Sequence, residues 1–140
     1  MNKARVLLAD DHEGILAWVR RTLEQEFEVV GAVENGRLAV NEVRHLDPDV
    51  LVIDICMPIL GGLQAAAQLG SNCRTKIVFL TIHDDPDFVA AAFQAGASAY
   101  VLKSEMGHAL VPAIHNVLLG RRYTSPSLPP YDELLGGILR

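Results

Sequence analysis

Apolar residues fall along this chain in two alternating patterns. Short aliphatic runs occur at Val6 to Ala9, Glu28 to Val33, Val50 to Ile53, Lys76 to Leu80 and Ala99 to Leu102. Between them, apolar positions recur every three or four residues, the spacing that lines them up on one face of a helix. The first such stretch starts at Asp11 or His12 and carries Ile15, Leu16, Val19, Leu23 and Phe27. Trp18 on the same stretch reads as packing at the core's edge. The second follows the Asn35-Gly36 turn signal, runs from Arg37 to about Leu46, and is stopped by Asp47-Pro48. After a loop with Met57-Pro58 and Gly61-Gly62, a short Ala-rich helix is predicted near Leu63 to Leu69. Asp85-Pro86-Asp87 opens a fourth helix that Gly96 ends. A fifth covers Met106 to Leu119, with Pro112 as an oddity inside it.

Strands and helices therefore alternate strictly, five of each. The strands are mostly continuous apolar runs, which suits a parallel sheet covered on both faces. Right-handed crossovers and short loops leave few topologies. The best fit is an α/β fold, a flavodoxin-like doubly wound five-stranded parallel sheet of order 2-1-3-4-5 with five helices. Residues 1–119 form this one domain. From Gly120 the composition changes to Arg121-Arg122-Tyr123-Thr-Ser-Pro-Ser-Leu-Pro-Pro, read as a proline-rich linker over 120–140. Tyr131 to Leu139 forms either a further turn or two of helix or a frayed tail.

Charge narrows the function. With 12 basic and 17 acidic residues the net charge is −5, and no Lys/Arg cluster exceeds a pair. Such a chain is not expected to bind nucleic acid by itself. No apolar run approaches the roughly 20 residues of a membrane span, and Met1-Asn-Lys-Ala-Arg5 carries no signal peptide. Cys56 and Cys73 form no CxxC motif and read as reduced thiols in the cytosol, with a regulatory disulfide the less favoured alternative.

In a doubly wound sheet, ligands bind outside the carboxyl ends of the strands, where the strand order switches. Here the strands end in Asp10-Asp11, Asp54, Thr81 and Lys103. The fold thus gathers three carboxylates, a hydroxyl and an ammonium at one rim. Three clustered carboxylates repel one another unless a counter-charge intervenes. A hard cation with oxygen ligands relieves this, and Mg²⁺ suits a site that keeps several waters. Asp11, Asp54 and the backbone carbonyl of Cys56 are the expected direct ligands, with Asp10 acting through water. A carboxylate on Mg²⁺ can attack phosphorus, and Lys103 and Thr81 suit the equatorial oxygens of the transferred group. Each residue also has an ordinary reading. Asp10 or Asp11 alone is most simply a helix N-cap, Asp54 a loop residue, Thr81 structural and Lys103 solvated. The ordered set, with helix-sized gaps between its members, outweighs those readings.

These residues carry a family resemblance. Leu8-Ala-Asp-Asp-His12, Asp54-Ile-Cys-Met-Pro58 with Gly62, Leu80-Thr-Ile-His-Asp-Asp85 and Gly96-Ala-Ser-Ala-Tyr-Val-Leu-Lys103 together resemble the response-regulator receiver family, over residues 4 to 119. The Leu80–Asp85 and Ala99–Ser104 stretches are most similar to NarL/FixJ-type receivers. Gly120-Arg-Arg-Tyr-Thr-Ser-Pro126 resembles their link to a LuxR-type helix-turn-helix domain.

The resemblance implies a cytoplasmic two-component protein, a phosphoacceptor rather than an enzyme, that promotes its own phosphotransfer and dephosphorylation. Asp54 is the phosphoacceptor, supplied by a sensor histidine kinase; Asp10 and Asp11 hold Mg²⁺; Lys103 pairs with the phosphate; Thr81 is the switch hydroxyl; Tyr100 is the aromatic that turns inward behind it. On its residues alone, Tyr100 reads as a half-buried strand aromatic. The resemblance further implies a homodimer on phosphorylation, through the fourth helix, fifth strand and fifth helix or through the first and fifth helices, and DNA binding only in a full-length protein.

The chain also departs from the family. Ser104 replaces the proline that often follows the lysine, so a cis peptide is not expected there. Ile82 is bulky beside Thr81, and Cys56 and His83 flank the site, where they can tune loss of the phosphoryl group. His12 and His83 read as ordinary loop histidines. The alternative is an interaction module of the same shape that is not phosphorylated. Two enzyme classes fit less well. A haloacid-dehalogenase-type phosphatase wants a second Asp where Cys56 stands, and a flavin phosphate loop is at odds with Asp10-Asp11-His12-Glu13.

Overall fold

A computed structural model describes residues 2–130 and residue 133. The elements are β1 (Arg5–Ala9), α1 (Glu13–Leu23), β2 (Glu28–Val33), α2 (Gly36–Leu46), β3 (Val50–Ile53), α3 (Gly62–Leu69), β4 (Lys76–Thr81), α4 (Pro86–Gln94), β5 (Ala99–Leu102), α5 (Met106–Leu118) and β6 (Tyr123–Thr124). A single 3₁₀ turn, Lys103–Glu105, joins β5 to α5. The sheet order is β2-β1-β3-β4-β5-β6, and each neighbouring pair is parallel. The predicted order 2-1-3-4-5 is therefore found, with one short strand added at the β5 edge. The expected helix over 131–139 lies, apart from Glu133, outside the described residues.

The period of two along each strand divides the core. Leu7, Leu51, Ile53, Phe79 and Tyr100 face α2, α3 and α4 in one apolar cluster. Val6, Leu8, Val52, Val78, Leu80 and Val101 face α1 and α5 in the other, where Trp18 packs half-buried. The helices begin where the sequence supplies caps. His12 Nδ1 accepts from Ile15 N, Asn35 from Leu38 N, and Asp85 from Asp87 N with Pro86 at the first helical position. In α5, Pro112 has no N–H to donate to the previous turn. The helix continues through it because Ala109, Leu110, Ala113, Ile114 and Val117 are buried, and apolar burial of that kind carries most helix stability.

At the amino ends of the strands, Asp49 Oδ2 accepts from Arg5 N at 2.8 Å, tying β1 to the start of β3. Arg74 Nη1 donates to Asp49 Oδ1 at 3.1 Å, while its Nε bonds Asp47. The Arg5 amide, then Arg74, hold the Asp49 carboxyl below its ordinary pKa of 3.8 despite partial burial. A depressed carboxyl stabilises the fold above its unfolded pKa, and that contribution disappears as pH falls through the folded one. Asp49→Asn is therefore expected to cost about 1 kcal/mol near pH 6 and markedly less near pH 2.5, measured by urea unfolding at both pH values.

Gly62 sets the loop after β3. Its N–H donates to Ile55 O at 2.8 Å, and a Cβ there would strike the Asp54 carbonyl oxygen. Gly62→Ala is expected to cost about 1–3 kcal/mol by overpacking, read as a lowered thermal midpoint.

Candidate functional site

The parallel register fixes which strand ends meet. Ala9 lies opposite Ile53, so Asp10 and Asp54 are the next residues out on adjacent strands. Their backbones are tied by Asp54 N donating to Ala9 O at 3.0 Å. Thr81 lies opposite Leu102, the residue before Lys103. Asp11 follows Asp10 at the surface. The result is a compact cluster in which carboxylate oxygens of Asp10, Asp11 and Asp54 all lie within 4.8 Å of one another.

Lys103 reaches into this cluster. Its Nζ lies 2.7 Å from Asp10 Oδ2 and 2.9 Å from Asp54 Oδ2. Its side chain is only 13% exposed, and those of Asp10 and Asp54 are 5% and 10% exposed. Burial lowers the ammonium's pKa, but the two carboxylates outweigh it and hold Lys103 above its usual value. One ammonium among three carboxylates leaves the cluster short of positive charge. Asp54 Oδ1 is buried with no hydrogen-bond partner, and Asp10 Oδ2 meets Lys103 as an ion pair outside hydrogen-bond geometry. Asp10 Oδ1 is occupied, accepting from His12 N at 2.9 Å. An all-oxygen donor set with an unsatisfied buried oxygen at Asp54 fits a hard divalent cation.

The other predicted residues surround the cluster. Thr81 is fully buried, with His83 N at 3.5 Å from its Oγ1. The Tyr100 ring is also fully buried, and its hydroxyl donates to His83 O at 2.6 Å. Burial first, and then the charge of Asp54, raise the Tyr100 phenol well above its usual pKa. The Ile82 side chain is 73% exposed and extends largely into solvent. No cis peptide occurs among the described residues, in keeping with Ser104 after Lys103. Cys56 and Cys73 are both free. A cleft of about 630 Å³ opens beside Asp11, Cys56, Met57 and Phe88.

Three arrangements were not read from the sequence. Lys103 spans two carboxylates rather than standing free to meet a phosphate. Cys56 Sγ lies 3.1 Å from His83 Nε2, and the His83 ring stacks on Phe88 at 4.6 Å. Ser125 and Ser127, in the segment whose composition predicts a linker, bond the Leu102 amide and the Glu105 side chain on either side of Lys103. The small β-prone pair Tyr123-Thr124 was the one signal for that segment, and two residues are too few to read as a strand.

A parallel sheet wound about β1 and β3, with an acidic cluster and a lysine at the carboxyl ends of its strands, defines a doubly wound α/β domain with its polar site at the switch point. The family model for the response regulator receiver domain matches residues 6–115, and the chain belongs to that family. It is 38% identical over 130 residues to the transcriptional regulatory protein DegU of Brevibacillus brevis, covering 91% of this chain and 55% of that protein. The chain thus spans just over half the length of that relative. Among solved structures it is similar to a two-component response regulator of the LuxR family from Aurantimonas sp. SI85-9A1, with TM-score 0.87 and 32% identity over 99% of this chain and 100% of that one. It is also similar to the isolated receiver domain of RcsB from Salmonella enterica serovar Typhimurium, determined with the phosphomimetic BeF3⁻. There the TM-score is 0.83 and the identity 27%, over 95% of this chain and 99% of that one. Among the described residues no helix is long and apolar enough to cross a membrane.

Proposed function

We propose that this receiver accepts a phosphoryl group on Asp54 from a phosphohistidine of a sensor histidine kinase, in a Mg²⁺-dependent step, and changes shape in response. The observation that carries this reading is the inequality of the two Asp54 oxygens. Oδ2 is held by Lys103, while Oδ1 is buried without a partner. A carboxylate held at one oxygen and unpaired at the other keeps lone pairs free to bond phosphorus. In the step, an Asp54 oxygen bonds to phosphorus and the P–N bond to the imidazole breaks. The ring, already protonated at its other nitrogen in the phosphohistidine, leaves as neutral imidazole, and an acyl phosphate forms.

Asp10, Asp11 and Asp54, with the carbonyl of Cys56, are the residues that would hold Mg²⁺, which when bound supplies charge neutralisation for the cluster and the phosphoryl oxygens. Lys103 provides the second cation and turns from the carboxylates to a phosphoryl oxygen. Thr81 offers a hydroxyl from the neighbouring strand end, and Tyr100 packs behind it. Cys56 and His83, paired at the mouth, control how water reaches the acyl phosphate. The same chemistry makes the domain a promoter of its own phosphotransfer and dephosphorylation rather than an enzyme acting on a separate substrate.

In a longer protein this switch would govern DNA binding, as the name of the DegU relative and the LuxR family of the Aurantimonas structure suggest. It would act in the cytoplasm, with phosphorylation promoting a homodimer through α4, β5 and α5 or through α1 and α5. Residues 1–119 would be the receiver and 120–140, whose first part lies on the receiver's sheet as β6, the tail leading to the output. With its acidic surface, the 140-residue chain is expected to give no electrophoretic shift of DNA at low salt.

The direct test is incubation with acetyl phosphate or phosphoramidate and Mg²⁺, followed by intact mass. One added phosphoryl group is expected, and none when the metal is chelated. No mass change with any donor would favour the reading as an unphosphorylated interaction module.

A further inference from the structure

After α5 the chain does not leave the domain. It turns at Gly120 and lays β6 alongside β5, with Tyr123 N donating to Ser98 O at 3.2 Å and Ser125 N to Tyr100 O at 2.9 Å. Ser125 is fully buried, unusual for a hydroxyl residue in a proline-rich run, and its Oγ accepts from Leu102 N at 2.8 Å. Ser127 donates from Oγ to Glu105 Oε1 at 2.7 Å. Leu128 packs on the apolar cluster that contains Tyr100 and Leu102.

These contacts bracket Lys103. The Leu102 amide, one residue before it, and the Glu105 carboxylate, two residues after it, are both held by the same short segment. Lys103 is therefore held by its ammonium at the acidic cluster, while residues 121–128 hold its neighbours through the Leu102 amide and the Glu105 side chain. A phosphoryl group on Asp54 adds charge and new acceptor oxygens, so the ammonium must turn toward them. The segment that carries it is attached at one backbone point, Leu102 N, and one side-chain point, Glu105 Oε1, and a shift of that segment loosens one attachment or both.

We infer that residues 121–128 form a strap whose docking on β5 opposes phosphorylation of Asp54, and which loosens when Asp54 is phosphorylated. The inference rests on the phosphoacceptor reading above. Coupling between two sites is reciprocal. Whatever weakens the strap must then favour the phosphorylated state, and the phosphorylated state must free the strap. The chain that follows would receive the signal through this segment's release rather than through a new surface alone.

Beryllofluoride with Mg²⁺ is the probe, used on the whole 140-residue chain. Amide hydrogen exchange over 121–130 is expected to quicken about fivefold on its addition. Ser127→Ala, at an exposed contact, is expected to bind beryllofluoride about fivefold more tightly than the parent in calorimetric titration. Ser125→Ala should move the same way, and Ser127→Ala keeps the test sound if the buried change impairs folding. Binding of beryllofluoride with unchanged or slower exchange at 121–130 overturns the strap alone, as does equal affinity in parent and Ser127→Ala. Absence of beryllofluoride binding overturns the strap and the phosphoacceptor reading together.

Discussion

The Asp54→Asn chain is expected to fold as the parent does and to gain no mass from acetyl phosphate and Mg²⁺. The parent should approach one phosphoryl group per chain. The amide is isosteric, and its oxygen still accepts from Lys103, so circular dichroism and the urea midpoint should be close to the parent's. The nucleophile is lost because a neutral amide oxygen is a poor attacker at phosphorus and a weak ligand for a hard cation. Neighbouring carboxylates do not replace it. Asp10 is committed to His12 N through Oδ1 and to Lys103 through Oδ2. Asp11 is exposed, outside the pocket that shields the other two. Peptide mapping that finds phosphate at residue 10 or 11 in this variant would sink the assignment.

The second large effect concerns Lys103. Lys103→Met keeps an unbranched stem of similar volume and removes the ammonium that lies 2.7 Å from Asp10 and 2.9 Å from Asp54. Two largely buried carboxylates then face each other and Asp11 with no protein counter-charge. Breaking a buried ion pair by deleting one partner costs about 3–5 kcal/mol, because the remaining charge stays buried. That loss is expected in chelator, by urea unfolding. Adding Mg²⁺ should restore part of it, since a ligand bound only by the native state stabilises in proportion to its excess over Kd. The rise in thermal midpoint with Mg²⁺ should be larger in the variant than in the parent. Equal midpoints for both proteins in chelator would show that the ammonium does not balance the cluster.

Much of this architecture was legible in the sequence because its causes are local. Val50 to Ile53 reads as a strand since every residue is aliphatic, and all four are buried on both sheet faces. The helix start at Asp85 was legible, where the side chain caps the next turn ahead of Pro86, and the turn signal at Asn35-Gly36 marked the start of α2 to within a residue, with Asn35 serving as its cap. The placement of Asp10, Asp54, Thr81 and Lys103 at one rim followed from topology, since parallel strands of similar length bring their last residues together. What was not legible depends on partners far apart in the chain. The double pairing of Lys103 joins residues 10, 54 and 103, and Cys56 meets His83 only because their loops share the rim. The start of β6 defeats periodicity altogether. Two residues have no period, and Ser125 becomes structural only because Leu102 N is waiting beside it.

The sixth strand also bears on how the chain keeps to itself. An open sheet edge offers unpaired amides and carbonyls to any other chain. Here β5, all four residues of it buried, meets a two-residue neighbour, Tyr123–Thr124, and the chain beyond it carries Pro126, Pro129 and Pro130. So short an edge strand offers little to pair with, and the prolines after it, having no N–H to give, keep it from lengthening, so that margin of the sheet resists further growth. A chain cut before residue 121 would lose this guard, and it should self-associate at concentrations where the 140-residue form stays dispersed.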